Sequence, residues 1–149
     1  MSKITKKKPR KKSLKTLRKT AWTACSQFVR QFYSDHRGHA RCYTCGVVDD
    51  WKSLQAGHAI PGRSNAVLLD TDIIRVQCYV CNIHKRGAHH LFSTNLIKEH
   101  GLEWWENKLQ QARQIVKFTR EDYEKFAEEF NLKIQQLSID RRTAKWKGG

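Results

Sequence analysis

From Leu14 onward the apolar positions fall three and four apart: Leu14, Leu17, Ala21, Cys25, Phe28 and Phe32 make one stripe. That spacing predicts an amphipathic helix running to about His36, with Gly38 ending the segment. Cys25 lies on the stripe, so its thiol is expected in the core. Over residues 40–82 the pattern changes to short β-branched and aromatic runs broken by turn residues. These predict two short strands, a long loop through Pro61, Gly62, Arg63, Ser64 and Asn65, and a helix starting near Asn82. Helical spacing returns over Phe92–His100 and Leu102–Val116, divided by Gly101. Trp104 and Trp105 belong to this pattern, and tryptophans at helical spacing are expected in the core rather than as base-stacking platforms. Thr119, Arg120, Glu121 and Asp122 form a capping box with Asp in the place of the usual Glu or Gln. It opens a last helix to about Leu137, with Tyr123, Phe126, Ala127, Phe130 and Ile134 on one face.

Helices at both ends around a short β-rich middle imply an α+β chain. The expected organisation is a basic disordered tail over 1–13, an N-terminal helix over 14–38, a central core over 39–100, a helical extension over 101–138 and a basic tail over 139–149.

Charge sharpens this picture. Lys and Arg number 29 against 14 Asp and Glu, a net charge of +15, which points to a polyanionic partner. Every charged residue from Met1 to Thr20 is Lys or Arg, so the tail is expected to act as a nucleic-acid arm through counterion release. No apolar run is long enough to span a bilayer, and the basic N-terminus has no apolar segment behind it to make a secretory signal. No membrane partner is therefore expected. The five cysteines are best placed in a reducing compartment, the cytoplasm, where paired C-x-x-C motifs hold metal more often than they form disulfides.

Two such pairs are present, Cys42/Cys45 and Cys78/Cys81. Each knuckle places two sulfurs on one edge of a tetrahedron, and two knuckles close a Cys₄ site for Zn²⁺. A closed site has no open coordination position, so this zinc is expected to be structural. It would staple residues 42–45 to residues 78–82, which a small core needs. Between the knuckles, His58 ends a predicted strand just before the long loop, and Asn82 directly follows the last Cys. The zinc would draw the two together. Hydrolysis of a phosphodiester needs a base for water and a cation to stabilise charge on the phosphoryl oxygens and the leaving O3′. A neutral His supplies the base near pH 7. Asn supplies a hard carbonyl oxygen for Mg²⁺, and Mn²⁺ would fit about as well. Asn is also a good helix N-cap, and both roles can hold. Arg63, Lys85 and Arg86 flank the pair and are expected to contact phosphates. A further cation ligand would come from His84, His89, His90 or Asp70, and the sequence does not choose among them.

Cys42-Tyr43-Thr44-Cys45-Gly46, Trp51-Lys52, Gln55-Ala56-Gly57-His58, Arg63, Asn65-Ala66-Val67, Asp70, Gln77-Cys78, Cys81-Asn82 and Lys117-Phe118-Thr119 together resemble the HNH nucleases, and more closely the NinG/Rap family of phage recombination endonucleases. The resemblance covers most of the chain. It implies a zinc-stapled ββα-metal core between flanking helices, His58 as general base and Asn82 as a Mg²⁺ ligand. It further implies DNA as substrate, in branched recombination intermediates such as Holliday junctions, and the host cytoplasm as location. Many HNH sites carry Asp or His immediately before the base, and this chain carries Gly57. Two symmetric cuts across a junction would call for two active sites, hence a homodimer. The competing expectation is a zinc-ribbon nucleic-acid-binding protein that cuts nothing. Charge and zinc suit both, and the His58/Asn82 pair separates them.

Overall fold

The computed structural model describes residues 7–142, so residues 1–6 and 143–149 of the two basic tails lie outside the described residues. Helix α1 (Leu14–Phe32) starts at Ser13, whose hydroxyl accepts the Thr16 N–H at 3.2 Å. It stops short of His36. The Asp35 carboxylate accepts the N–H groups of Arg37 and His39 at 2.9 and 3.0 Å, and this local alternative to helical bonding turns the chain into a strand.

Four strands follow, where the sequence pattern suggested two. β1 (His39–Arg41) pairs antiparallel with β2 (Val48–Asp50), and β3 (Gln55–His58) pairs antiparallel with β4 (Ile74–Gln77). β1 and β2 have three residues each, too few for an alternation to register. In the β3–β4 sheet Gln55 faces Gln77 and Gly57 faces Arg75. Because side chains alternate, Ala56, Ile74 and Val76 share one face and pack on Ala24, Cys25 and Val29 of α1. Gln55, Gly57, Arg75 and Gln77 share the other. Between β3 and β4 lie a short helix α2 (Asn65–Leu68) and a 3₁₀ turn (Thr71–Ile73).

The helix expected near Asn82 begins seven residues later. After β4 the chain makes a π-type turn over Val80–His84, with the Lys85 N–H reaching back to the Val80 carbonyl at 2.8 Å. Arg86, Gly87 and Ala88 then all adopt positive φ (49°, 91° and 47°), which no helix tolerates. Asn82 is therefore inside the turn and not a helix N-cap. α3 (His89–His100) and α4 (Leu102–Ala112) follow, and Trp105 with Phe92 and Leu96 joins a second core cluster around Ile60, Val67 and Ile73. Trp104 packs against the same cluster.

α5 (Arg120–Arg142) opens on the expected capping box: the Thr119 N–H donates to Asp122 Oδ2 at 2.8 Å, and the Asp122 N–H to Thr119 Oγ1 at 3.2 Å. It runs past Leu137 to Arg142, into the segment expected as tail. Tyr123 packs with Leu17 and Ala21, Phe130 with Ala24 and Cys25, and Arg141 hydrogen-bonds the Gln31 carbonyl. Successive contacts thus advance along both helices in the same direction, so α1 and α5 lie parallel. Together the described residues form a mixed α+β protein with small sheets and a four-cysteine cluster.

Candidate functional site

Cys42 and Cys45 follow β1, and Cys78 and Cys81 flank the entry to the π turn. Their four sulfurs all lie within 4.8 Å of one another, a group that can hold a metal ion such as zinc. The Cys45 and Cys78 sulfurs are 3.7 Å apart. That is far beyond a disulfide bond, and it is the edge of a tetrahedron whose centre lies about 2.3 Å from each vertex, the Zn–S distance. Cys42 is buried, which works against its thiolate, but the Thr44 hydroxyl and neighbouring backbone N–H groups outweigh burial and bring the thiol down to about 6. Cys25 stands apart on α1, fully buried, and burial pushes its thiol up to about 12. It is the core residue the helical stripe predicted.

His58 ends β3 and is 8 % exposed. Its Nε2 lies 2.8 Å from the Leu68 carbonyl oxygen. A carbonyl only accepts, so Nε2 carries the proton and Nδ1 keeps the lone pair. Burial holds the imidazole down at about 4; the Arg63 and Arg18 charges push the same way, and the bond to Leu68 opposes them. The ring is therefore neutral near pH 7. It stacks on Trp22 of α1 with centroids 4.5 Å apart, and the Arg63 guanidinium also lies over the indole, 4.7 Å from its centroid. Arg18 donates to the Arg63 carbonyl at 2.7 Å, which steadies the loop carrying it.

His58 lines a cleft of about 690 Å³. The cleft follows β3, with Trp22, Ser26 and Arg30 of α1 on one side and Asn82, Ile83, Arg86 and His89 on the other. Arg30, Lys52, Arg63 and Arg86 line it, and among the described residues no carboxylate does. A concave wall with one sign of charge focuses an anionic ligand.

Asn82 reaches this cleft from the π turn. Its Nδ2 donates to Gln55 Oε1 at 2.7 Å, which fixes the orientation of the carboxamide and of its oxygen. His89 lines the cleft as well. Its Nδ1 lies 2.9 Å from the Ala59 carbonyl oxygen, so its Nε2 is the acceptor nitrogen when the ring is neutral. Gly87 is required beneath it: a Cβ there would come within 2.8 Å of that Nε2. Of the four residues left open as further ligands, His89 alone lines the cleft. Asp70 is held by Lys108 at 2.7 Å. His84 is exposed and meets the Tyr79 ring edge-on. His90 is exposed and lines a separate groove beside Cys45 and Cys81, together with Lys85. Arg63 and Arg86 thus share the cleft with His58 and Asn82, and Lys85 does not.

Sequence reasoning missed three residues that surround this region. Trp22 and Arg30 belong to α1, and no local pattern marks them, since only the packing of α1 against β3 brings them to His58. The sequence shows Gln77 only as the last residue of a strand, directly before the second cysteine pair. It is fully buried, and its Nε2 donates to the Gly87 carbonyl at 2.9 Å and to Thr44 Oγ1 at 3.2 Å. A buried Gln at the end of a strand next to a Cys pair was the available signal.

These features define a small, strongly basic α+β protein built around a four-cysteine cluster able to hold a metal ion and a cationic cleft. Comparison with known proteins places it further. A family model described as the bacteriophage lambda NinG protein matches residues 2–140, and the chain belongs to that family. No curated protein and no solved structure matches it. Among the described residues no helix is long and apolar enough to cross a membrane.

Proposed function

We propose that this NinG-family protein is a metal-dependent DNA endonuclease of the HNH type, hydrolysing phosphodiester bonds in branched recombination intermediates. The observation that carries the reading is the state of His58: a neutral imidazole, fixed by the Leu68 carbonyl so that Nδ1 holds the lone pair, on the wall of a cleft lined by Arg30, Lys52, Arg63 and Arg86, with no carboxylate among the described residues. A binding surface needs the cations. It has no use for a buried, oriented, unprotonated His.

In this reading the arginines and Lys52 hold the DNA backbone in the cleft. His58 Nδ1 takes a proton from a water molecule, the resulting hydroxide attacks phosphorus, and the P–O3′ bond breaks, with O3′ taking a proton from solvent. Trp22 keeps the imidazole in plane, and Leu68 stabilises the imidazolium that forms by accepting from Nε2. Mg²⁺ or Mn²⁺ would supply the charge stabilisation that leaving O3′ requires. Asn82 Oδ1 and His89 Nε2 are donors of the right kind for it, and the cysteine cluster would hold a structural Zn²⁺. Preference for branched DNA rests on the resemblance to recombination endonucleases. Paired cuts across a junction would need a homodimer, formed through a surface other than the α5 stripe, which α1 covers.

The test is cleavage of a labelled four-way junction and a matching linear duplex, in Mg²⁺ or EDTA, by the protein and by His58→Ala. Junction cutting that needs Mg²⁺ and disappears in His58→Ala, with the duplex spared, is the expected result. Equal cutting of both substrates would keep the nuclease and remove the branch preference. Binding without cutting under any divalent metal would leave a zinc-ribbon nucleic-acid-binding protein.

A further inference from the structure

The π-type turn after β4 has an inner and an outer side. Cys78 and Cys81 turn inward to the cysteine cluster, and Asn82 turns inward to Gln55. The remaining apolar residues point out: Tyr79, Val80 and Ile83 are 52, 51 and 49 % exposed. Three large apolar side chains thus form a ridge on the surface of a strongly basic protein. The turn beneath them is held closed by the Asn82 N–H on the Cys78 carbonyl at 2.9 Å and by the Lys85 N–H on the Val80 carbonyl at 2.8 Å. His84 braces the Tyr79 ring, with centroids 5.2 Å apart and planes 77° to each other. An apolar ridge held in water forgoes the free energy that its burial would release.

Charge decides what can cover it. Between Asp72 and Glu99 the sequence has no Asp or Glu, and its charged residues there are Arg75, Lys85, Arg86 and Lys98. Ile83 and Arg86 line the His58 cleft, and Lys85 lines the groove beside Cys45 and Cys81. A second copy of this chain, brought ridge to ridge, would set Lys85 and Arg86 against their own kind, with no carboxylate from the turn to offset them. A polyanion that also offers apolar surface fits both features. In an intact DNA duplex the base faces are covered by stacking, and the ridge would meet only sugars and phosphates. Where a branch interrupts the stack, base faces open to solvent and unstacking costs least.

We infer that Tyr79, Val80 and Ile83 form a wedge that packs on the bases exposed at a branch point in DNA, with Tyr79 as the stacking ring and Lys85 and Arg86 on the adjoining phosphates. The inference rests on the endonuclease reading for its substrate, and it supplies that reading with residues that distinguish a branch from a duplex. Apolar side chains inserted at an interrupted base step are a general means of binding distorted DNA. Every base has a π-face, so such a wedge selects geometry and not sequence. Ile83 sets the wedge at the edge of the cleft that holds His58, so a branch seated on the ridge brings its backbone to that cleft.

The test is the affinity of the full chain for a labelled four-way junction and for a matching duplex, at one salt and Mg²⁺ concentration, in the His58→Ala background so that nothing is cut. Tyr79→Ser should weaken junction binding about tenfold and leave duplex binding within about twofold. Tyr79→Phe keeps the ring and should bind as the unaltered ridge does, whereas Lys85→Ala should weaken both substrates alike. A fluorescent base analogue at the branch should change its emission when the unaltered ridge binds and not when Tyr79→Ser does. Should Tyr79→Ser disturb the turn, Ile83→Ser reads the same ratio of affinities. Equal loss on both substrates, or no loss on either, overturns the inference. So does a dimer in solution that Tyr79→Ser dissociates, which makes a second copy the occupant. Cleavage by the protein with His58 intact reads the nuclease separately. No cutting, with junction binding still dependent on Tyr79, would sink the nuclease and keep the wedge; cutting with the ratio of affinities unmoved would do the reverse.

Discussion

One hydrogen bond and one stacked ring decide what His58 can do. An exposed His titrates near pH 6.5 and is partly protonated in the cytoplasmic range. Burial against Trp22 brings this one to about 4, so the folded protein resists a proton that the unfolded chain accepts. Stability contributed by the neutral ring is complete above 6.5 and is lost as pH falls toward 4. Over that window the loss from this group is about 1.4 kcal/mol per pH unit. Urea unfolding of zinc-loaded protein across the window, compared with His58→Gln, isolates the term from protonation of the cysteines. The parent should lose stability more steeply than the variant, and parallel curves would show that His58 is not buried neutral. The same residue scale explains why Gln77 escaped the sequence. Its orientation is set by two hydrogen bonds, to the Gly87 carbonyl and Thr44 Oγ1, and residue type alone carries no direction.

Among the elements, the long helices were legible and the short ones were not. α1 and α5 have stripes of three and four spacing over many turns, and the capping box at Thr119 is written in four consecutive residues. That box ties two N–H groups at the start of α5. Thr119→Ala should therefore cost about 1 kcal/mol, read as a lower urea midpoint with an unchanged m-value. A change below a few tenths would mean that the α1–α5 packing, and not the cap, holds that end. The turn after Cys81 was harder. Its apolar and polar residues suggested a helix from Asn82, but the Cys78–Cys81 knuckle bends the chain into a π-type turn, and three positive-φ residues postpone α3 to His89. The backbone of the cysteine knuckle and the three positive-φ residues override local helix preference there, and periodicity does not contain them.

At the scale of the whole molecule the cysteine cluster joins segments far apart in the chain. It connects the segment after β1 to the end of β4 and, through Thr44 and Gln77, touches the strand that carries His58. If the cluster holds zinc as proposed, Cys45→Ser should lower the zinc content of the purified protein and depress its Tm, because metal binding adds to folding free energy. Cys25→Ala should leave the zinc content unchanged, because that thiol belongs to the α1 core. Metal analysis of the two purified variants checks both halves; equal loss from each would mean that the sulfur set has been misread. Parallel packing of α1 and α5 has the same global origin. The whole β region and two helices must carry the chain back from the end of α1 to the start of α5, and that return is what lays Trp22 and Arg30 beside β3.

The sequence by itself determined the α+β character, the helical stripes, the cap of α5, the buried Cys25 and the two cysteine pairs. Each is encoded in residues near one another in the chain, through periodicity, capping or ligand spacing. It also marked His58, Asn82, Arg63 and Arg86, which the structure sets around one cleft. Only the tertiary structure decided which nitrogen of His58 holds the lone pair, that Trp22 backs it, that His89 and not His84, His90 or Asp70 joins the cleft, and that the Gln77 amide oxygen packs against Gly57. Those outcomes depend on directions and distances between residues far apart in the chain. A linear pattern of residue types constrains such geometry only through the fold that all of them build together.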